Sequence, residues 1–148
     1  MKVLFIDDDE LRTRPLRQGL KEFCQFEVTY VRSPLEAIEK FRNQPDSFRA
    51  IVIDIMIPHL DIPEYKEFAI PEYFNNNYDG FYTGLKIYLN LQDLMNTNEI
   101  SIPVIILTAI EDIKKYIDAL TLKPAKIIIK PVYLTKFIEE INDATAIK

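Results

Sequence analysis

Val3-Leu4-Phe5-Ile6-Asp7-Asp8-Asp9-Glu10, residues 3–10, is an apolar run that breaks abruptly into acids. The run is too short for an ordinary helix and does not alternate with polar residues. Three more runs share its look: Ala50-Ile51-Val52-Ile53, Val104-Ile105-Ile106-Leu107 and Ile127-Ile128-Ile129. Each carries β-branched side chains, which suit a pleated strand. Strands that are apolar on both faces belong in a parallel sheet covered by helices on either side. A weaker strand spans Phe26 to Val31, where Phe26, Val28 and Tyr30 alternate with Glu27 and Thr29.

Helical patterns fill the intervals. Glu10 to Phe23 carries Leu11, Leu16, Leu20 and Phe23. Pro34 to Arg42 follows Ser33, a good N-cap with proline at the first helical position, and its Leu35, Ile38 and Phe41 recur every third residue. Phe81 to Met95 carries Leu85, Tyr88, Leu89 and Leu91, and Glu111 to Leu120 follows. Tyr133 to Ala144 closes the series with Leu134, Phe137, Ile138 and Ile141. Strict β-α alternation implies right-handed crossovers and a three-layer α/β sandwich.

One stretch breaks the rhythm. Pro58 to Asp79 is far longer than the two to six residues of an ordinary β-to-α loop. It holds a near-repeat, Ile62-Pro63-Glu64-Tyr65 and Ile70-Pro71-Glu72-Tyr73, and then Asn75-Asn76-Asn77. We read residues 1–148 as a single domain with an insertion at about 59–78, holding short helical turns begun by prolines. Tyr65, Phe68, Tyr73, Phe74, Tyr78, Phe81 and Tyr82 in and beside it form either a small satellite core or a partner-binding surface.

Composition excludes several classes. With 48% hydrophobic and 28% charged residues the chain is globular, and 148 residues bury a sizeable core without staples. Net charge is −5 with no Lys/Arg block, which argues against direct nucleic-acid binding. No apolar run approaches the roughly 20 residues of a membrane span. The acids from Asp7 onward do not suit a secretory leader. Cys24 is the single cysteine, so no internal disulfide forms, which fits a reducing, cytoplasmic setting. The three glycines, Gly19, Gly80 and Gly84, form no nucleotide-binding loop.

The chemistry lies where the strands end. The first ends in Asp7-Asp8-Asp9-Glu10, the third in Asp54, the fourth in Thr108-Ala109 and the fifth in Lys130-Pro131. Ligands of open α/β sheets bind outside the carboxyl ends of the strands, where strand order reverses. If the first and third strands are neighbours there, Asp7, Asp8 and Asp54 converge. Converging carboxylates resist full ionisation, and a hard cation relieves them. Mg²⁺ suits such a set, because it accepts one or two carboxylates, keeps waters and then takes a phosphoryl oxygen. Lys130 pairs with a carboxylate and later with phosphate, and the Thr108 hydroxyl donates to a phosphoryl oxygen. Asp54 is left as a carboxylate nucleophile that forms an acyl phosphate. The added charge and acceptors would draw Thr108 and its loop inward. Asp9 and Glu10 read as helix N-terminal residues matched to the dipole. His59, the single histidine, reads as an exposed loop residue.

The set Phe5-Ile6-Asp7-Asp8-Asp9, Ile53-Asp54-Ile55-Met56-Ile57-Pro58, Leu107-Thr108-Ala109 and Ile129-Lys130-Pro131 resembles bacterial response-regulator receiver domains. The resemblance spans nearly the whole chain apart from the insertion. It implies a flavodoxin-like (βα)5 sandwich with a five-stranded parallel sheet of order 2-1-3-4-5. It implies Asp54 as phosphoacceptor, Asp8 as a direct Mg²⁺ ligand and Asp7 as its acidic partner. The Met56 backbone carbonyl would be a further ligand, Thr108 the switch hydroxyl and Ala109 the small residue that keeps the site open. Lys130 would contact the phosphoryl group, with a cis bond before Pro131. Asp79-Gly80 and Gly84-Leu85 resemble the turn and start of the third helix. The implied partners are a sensor histidine kinase or histidine phosphotransfer protein, an unknown downstream protein, and a second copy in a homodimer.

The chain departs from the pattern at three places. Receivers usually carry an aromatic three positions before the lysine; here Ile127 stands there. Lys123-Pro124-Ala125 replaces the usual Gly-Ala before the fifth strand, and the insertion adjoins the strand end bearing Asp54. Ile127 and the insertion favour a second reading, a receiver-fold interaction module that does not switch by phosphorylation. Phosphohydrolases with an aspartyl nucleophile carry a second acid two residues on; Met56 occupies that position, so a turnover enzyme is not expected. Met56 and Ile110 are expected to set apolar side chains near the site and to slow hydrolysis. The chain ends soon after the fifth helix, so output is expected through a partner.

Overall fold

The computed structural model describes residues 1–57 and 83–146. The strands β1 (Lys2–Ile6), β2 (Glu27–Val31), β3 (Phe48–Ile53), β4 (Val104–Thr108) and β5 (Lys126–Ile129) form one parallel sheet of order β2-β1-β3-β4-β5. The helices are α1 (Glu10–Cys24), α2 (Pro34–Asn43), α3 (Thr83–Thr97), α4 (Ile113–Ala119) and α5 (Leu134–Thr145). The flavodoxin-like (βα)5 architecture expected from the sequence is therefore present.

Two apolar layers explain the unbroken strand runs. Leu4, Ile6, Ile51, Ile53, Val104 and Ile106 face α2, α3 and α4, meeting Ile38, Phe41, Leu85, Leu91 and Ile117. Val3, Phe5, Val52, Ile105 and Leu107 face the other way, with Leu16 and Leu20 of α1 and Phe137 and Ile141 of α5. Successive strand residues point to opposite faces, and here both faces are covered.

The helix starts follow their sequence signals. Asp9 caps α1 by accepting from the Arg12 N–H, and Ser33 caps α2 by accepting from the Glu36 N–H with Pro34 in the first turn. Some expectations need correction. Leu11 and Phe23 are 73% and 65% exposed and lie off the buried stripe of α1. Leu11 precedes Leu16 by five positions, which turns it well away from that side of a 3.6-residue helix. The run Ile127-Ile128-Ile129 is not buried on both faces: Ile128 is buried, but Ile127 and Ile129 are 36% and 38% exposed. The reason is topological, since β5 is an edge strand with a neighbour on one side only. α4 is shorter than expected, beginning at Ile113. The insertion, its near-repeat and aromatics, His59 and Asp79-Gly80 lie outside the described residues.

Candidate functional site

Sheet register brings the acids together. Ile6 pairs with Val31 on one side and with Ile53 on the other. The ladder runs one residue further: the Asp7 N–H donates to the Val31 carbonyl at 3.2 Å, and the Asp54 N–H to the Ile6 carbonyl at 2.9 Å. Asp7 and Asp54 are thus the first residues beyond two adjacent parallel strands. At the next pair, Thr108 opposes Ile129 and its carbonyl accepts from the Lys130 N–H at 2.8 Å.

The side chains then converge on Lys130. Its Nζ donates to Asp7 Oδ2 at 3.0 Å and to Asp54 Oδ2 at 3.4 Å. The remaining oxygens have backbone donors: Asp7 Oδ1 accepts from the Asp9 N–H at 2.8 Å, and Asp54 Oδ1 from the Met56 N–H at 3.3 Å. Asp7 is fully buried and Asp54 is 6% exposed, whereas Asp8 is half-buried. One carboxylate oxygen from each of Asp7, Asp8 and Asp54 lies within 4.8 Å of the others. Three hard oxygen donors so close together fit a divalent cation. The Lys130–Pro131 peptide is cis.

The electrostatics follow from burial. Desolvation pushes the Asp54 carboxyl up to about 6; Lys130 opposes the shift and Asp7 adds to it. Asp8 is also raised, first by burial and then by the charge of Asp7. Burial alone would lower Lys130, but Asp54 and Asp7 together hold it above its ordinary value. An expected result follows for Asp54→Asn. The folded protein binds the Asp54 proton more tightly than the unfolded chain, so this group costs no stability below about pH 4. The cost appears as pH rises and is complete above the folded value of about 6. Unfolding in Mg²⁺-free buffer at pH 8 is expected to show Asp54→Asn more stable than wild type by about 2–3 kcal/mol, with the gap closing toward pH 4. A gap that does not change with pH would mean that packing, not charge, sets it.

The other expected positions are less directly joined. The Thr108 side chain is fully buried, and its hydroxyl accepts from the Ile110 N–H at 3.2 Å rather than contacting a carboxylate. Ala109, next to Thr108 at the end of β4, is exposed. Met56 is 43% exposed, while Ile110 is 6% exposed and belongs to the apolar core. Ile127 lies on the open edge of the sheet.

Gly84 is a positioning residue whose contact the sequence reading did not foresee. Its N–H donates to the Ile55 carbonyl at 2.8 Å. A Cβ there would stand 2.0 Å from the Asp54 carbonyl oxygen and 2.4 Å from the Ile55 Cα. The signal was a glycine within a helical pattern, where it costs stability relative to alanine.

No protein-family model matches the chain, and no curated protein matches it. Solved structures do. A response-regulator receiver domain from Clostridium thermocellum shares 22% identity at a TM-score of 0.69, covering 97% of this chain and 93% of its own. The non-phosphorylated HemR receiver domain from Leptospira biflexa shares 18% at 0.68, with 99% and 95% covered. A CheX–CheY–BeF3–Mg²⁺ complex from Borrelia burgdorferi contains a chain 19% identical at 0.68, with 99% and 90% covered. With β2-β1-β3-β4-β5 order and acids at the ends of β1 and β3, this chain has the fold of the response-regulator receiver domains.

Proposed function

We propose that the chain is a phosphorylation switch whose acceptor is the Asp54 carboxylate. The observation that carries this reading is the Lys130 ammonium held between two buried carboxylates, Asp7 and Asp54, with Asp8 beside them. An Asp54 oxygen attacks the phosphorus of a phosphohistidine on a sensor kinase or phosphotransfer protein. The new O–P bond makes an acyl phosphate, the P–N bond breaks and the imidazole leaves. Asp7, Asp8, Asp54 and the Met56 carbonyl would hold Mg²⁺, which when bound neutralises charge on the phosphoryl oxygens. Lys130 exchanges one carboxylate contact for a phosphoryl oxygen, and exposed Ala109 leaves room for the donor. The Thr108 hydroxyl, now an acceptor for Ile110, turns to donate to the phosphoryl group.

No acid stands two residues after Asp54 to protonate a leaving group, so the chain acts as a signalling domain rather than a turnover enzyme. Its setting in this reading is the cytoplasm, where the kinase donor acts. Among the described residues no helix is long and apolar enough to cross a membrane. Output passes to a downstream protein or to a second copy. A second reading, an interaction module that does not switch, draws on Ile127, which is aliphatic and sits on an exposed strand edge.

The test is incubation with Mg²⁺ and acetyl phosphate followed by intact mass. One added phosphoryl group in the wild type and none in Asp54→Asn is the expected result. No adduct under conditions where Mg²⁺ measurably binds would overturn the switch in favour of the interaction module.

A further inference from the structure

Helix α1 follows directly on the acids of β1, and a proline interrupts it soon after its start. Pro15 lies inside the helix, has no N–H to offer the Leu11 carbonyl, and crowds that carbonyl with its ring. The opening turn is thus joined less firmly to the rest of α1 than an unbroken ladder would join it. That turn bears on the site through Asp9. The Asp9 N–H donates to Asp7 Oδ1 at 2.8 Å, and the Asp9 carbonyl accepts from the Thr13 N–H at 3.2 Å. Where Asp9 sits decides how Asp7 and Asp8 are aimed.

Arg17, two residues beyond the proline, reaches back across the break. Its Nη2 donates to the Glu10 carbonyl at 2.6 Å, and its Nε donates to Thr13 Oγ1 at 3.3 Å. The Thr13 hydroxyl in turn donates to the Asp9 carbonyl at 2.8 Å, and Thr13 is buried. The guanidinium carbon lies 3.9 Å from the centre of the Tyr30 ring of β2, and that ring packs against Phe5 of β1 with centroids 6.4 Å apart. A guanidinium is a rigid planar fork, so one side chain fastens two points at once. Here it joins Glu10, Thr13 and, through Thr13, Asp9, with the Tyr30 ring of β2 behind it.

We propose that Arg17 is a positioning residue for the cation site, clamping the first turn of α1 across Pro15 so that Asp7 and Asp8 are held ready for Mg²⁺. This rests on the reading of Asp7, Asp8 and Asp54 as the Mg²⁺ site. Arg17 acts through the Asp9 and Glu10 carbonyls, and its charge works in the opposite sense. The Tyr30 hydroxyl, raised first by burial, is lowered by Arg17 and raised again by Asp7, so the arginine and the acid act on the same small region. A fixed cation there repels Mg²⁺. Removing the charge alone would tighten Mg²⁺ binding, whereas removing the clamp weakens it, so the sign of the effect separates the two.

The test is NMR titration of the ¹⁵N-labelled chain with Mg²⁺, followed at the Asp8 and Asp9 amides. Arg17→Met is expected to raise the Mg²⁺ Kd about tenfold, the lower end for residues that orient metal ligands. Arg17→Lys keeps the charge but not the fork; it is expected to lose about threefold, one ordinary hydrogen bond, and it carries the test if Arg17→Met does not fold. Pro15→Ala restores the missing rung, and adding Arg17→Met to it is expected to cost less than about threefold. Labelling by acetyl phosphate is expected to need more Mg²⁺ in Arg17→Met yet to reach the wild-type rate at saturation. Wild type that binds no Mg²⁺ would overturn the cation site and the clamp with it. Wild type that binds Mg²⁺, with either Arg17 variant binding it as tightly or more tightly, would overturn the clamp alone, as would an undiminished loss in the Pro15→Ala background.

Discussion

Lys130→Met is expected to destabilise the Mg²⁺-free protein by about 3–5 kcal/mol at pH 8, the range for removing one side of a buried ion pair. Methionine keeps much of the lysine stem's volume, so the change removes charge more than packing. Asp7, with no exposed surface, and Asp54, 6% exposed, would then have no cation among the described residues. The size of the effect is to be read against acid. With Lys130 present the Asp54 carboxyl already stands at about 6, and the lysine is the largest of the groups that hold it down against burial, ahead of the Met56 and Ile55 N–H groups. Without the lysine it rises further. A carboxyl whose folded value lies above its unfolded value destabilises the fold only where it is ionised. The loss should therefore be largest above pH 7 and shrink as pH falls toward 4. Urea unfolding of wild type and Lys130→Met across that range measures it directly. Millimolar Mg²⁺ is expected to recover part of the loss, because a cation among Asp7, Asp8 and Asp54 replaces the missing charge. A loss of equal size at pH 4 and pH 8, indifferent to Mg²⁺, would show that Lys130 acts through its stem alone.

Gly84→Ala sets two effects against each other, and the magnitudes decide between them. Alanine within a helix is worth up to about 1 kcal/mol over glycine. The added Cβ, however, meets the Asp54 carbonyl oxygen at 2.0 Å and the Ile55 Cα at 2.4 Å, both backbone atoms with no rotamer to retreat into. Overpacking costs about 1–3 kcal/mol, and contact with backbone belongs at the upper end. The net expectation is destabilisation by about 2 kcal/mol or more, with Asp54 displaced and its labelling by acetyl phosphate slowed. Gly19→Ala is the control. The nearest atom to a Cβ there is Leu134 Cδ1 at 2.4 Å, the tip of a flexible side chain that can move aside. It should cost less and leave Asp54 labelling intact. Equal labelling rates in Gly84→Ala and wild type would mean that α3 does not position the acceptor.

Much of this protein was legible before folding. The apolar runs of β1, β3 and β4 carry no alternation because both faces of the sheet are covered there, and the pattern is written locally in each strand. Ser33-Pro34 and Asp9 announce helix starts through hydrogen bonds that reach only three residues along the chain. Asp7, Asp54, Thr108 and Lys130 stand out because each directly follows or ends an apolar run, with Asp8 next to Asp7, and strand ends are where such sheets gather their ligands.

What lay beyond the sequence depends on pairs far apart along it. Ile127 and Ile129 look as core-like as Ile128 until the sheet order makes β5 an edge. Leu11 and Phe23 look like part of a stripe until the helix docks on one particular side. That Lys130 bridges Asp7 as well as Asp54, that Gly84 presses on the Asp54 peptide, and that Arg49 donates to the Thr145 carbonyl at the end of α5 are all matters of register and close approach. The residue types and their order along the chain determined the strands, the helix starts and the candidate acids. Only the tertiary structure decided which groups share a hydrogen bond, an ion pair or a contact, because those couplings fall off within a few ångströms and depend on how separate elements are set side by side.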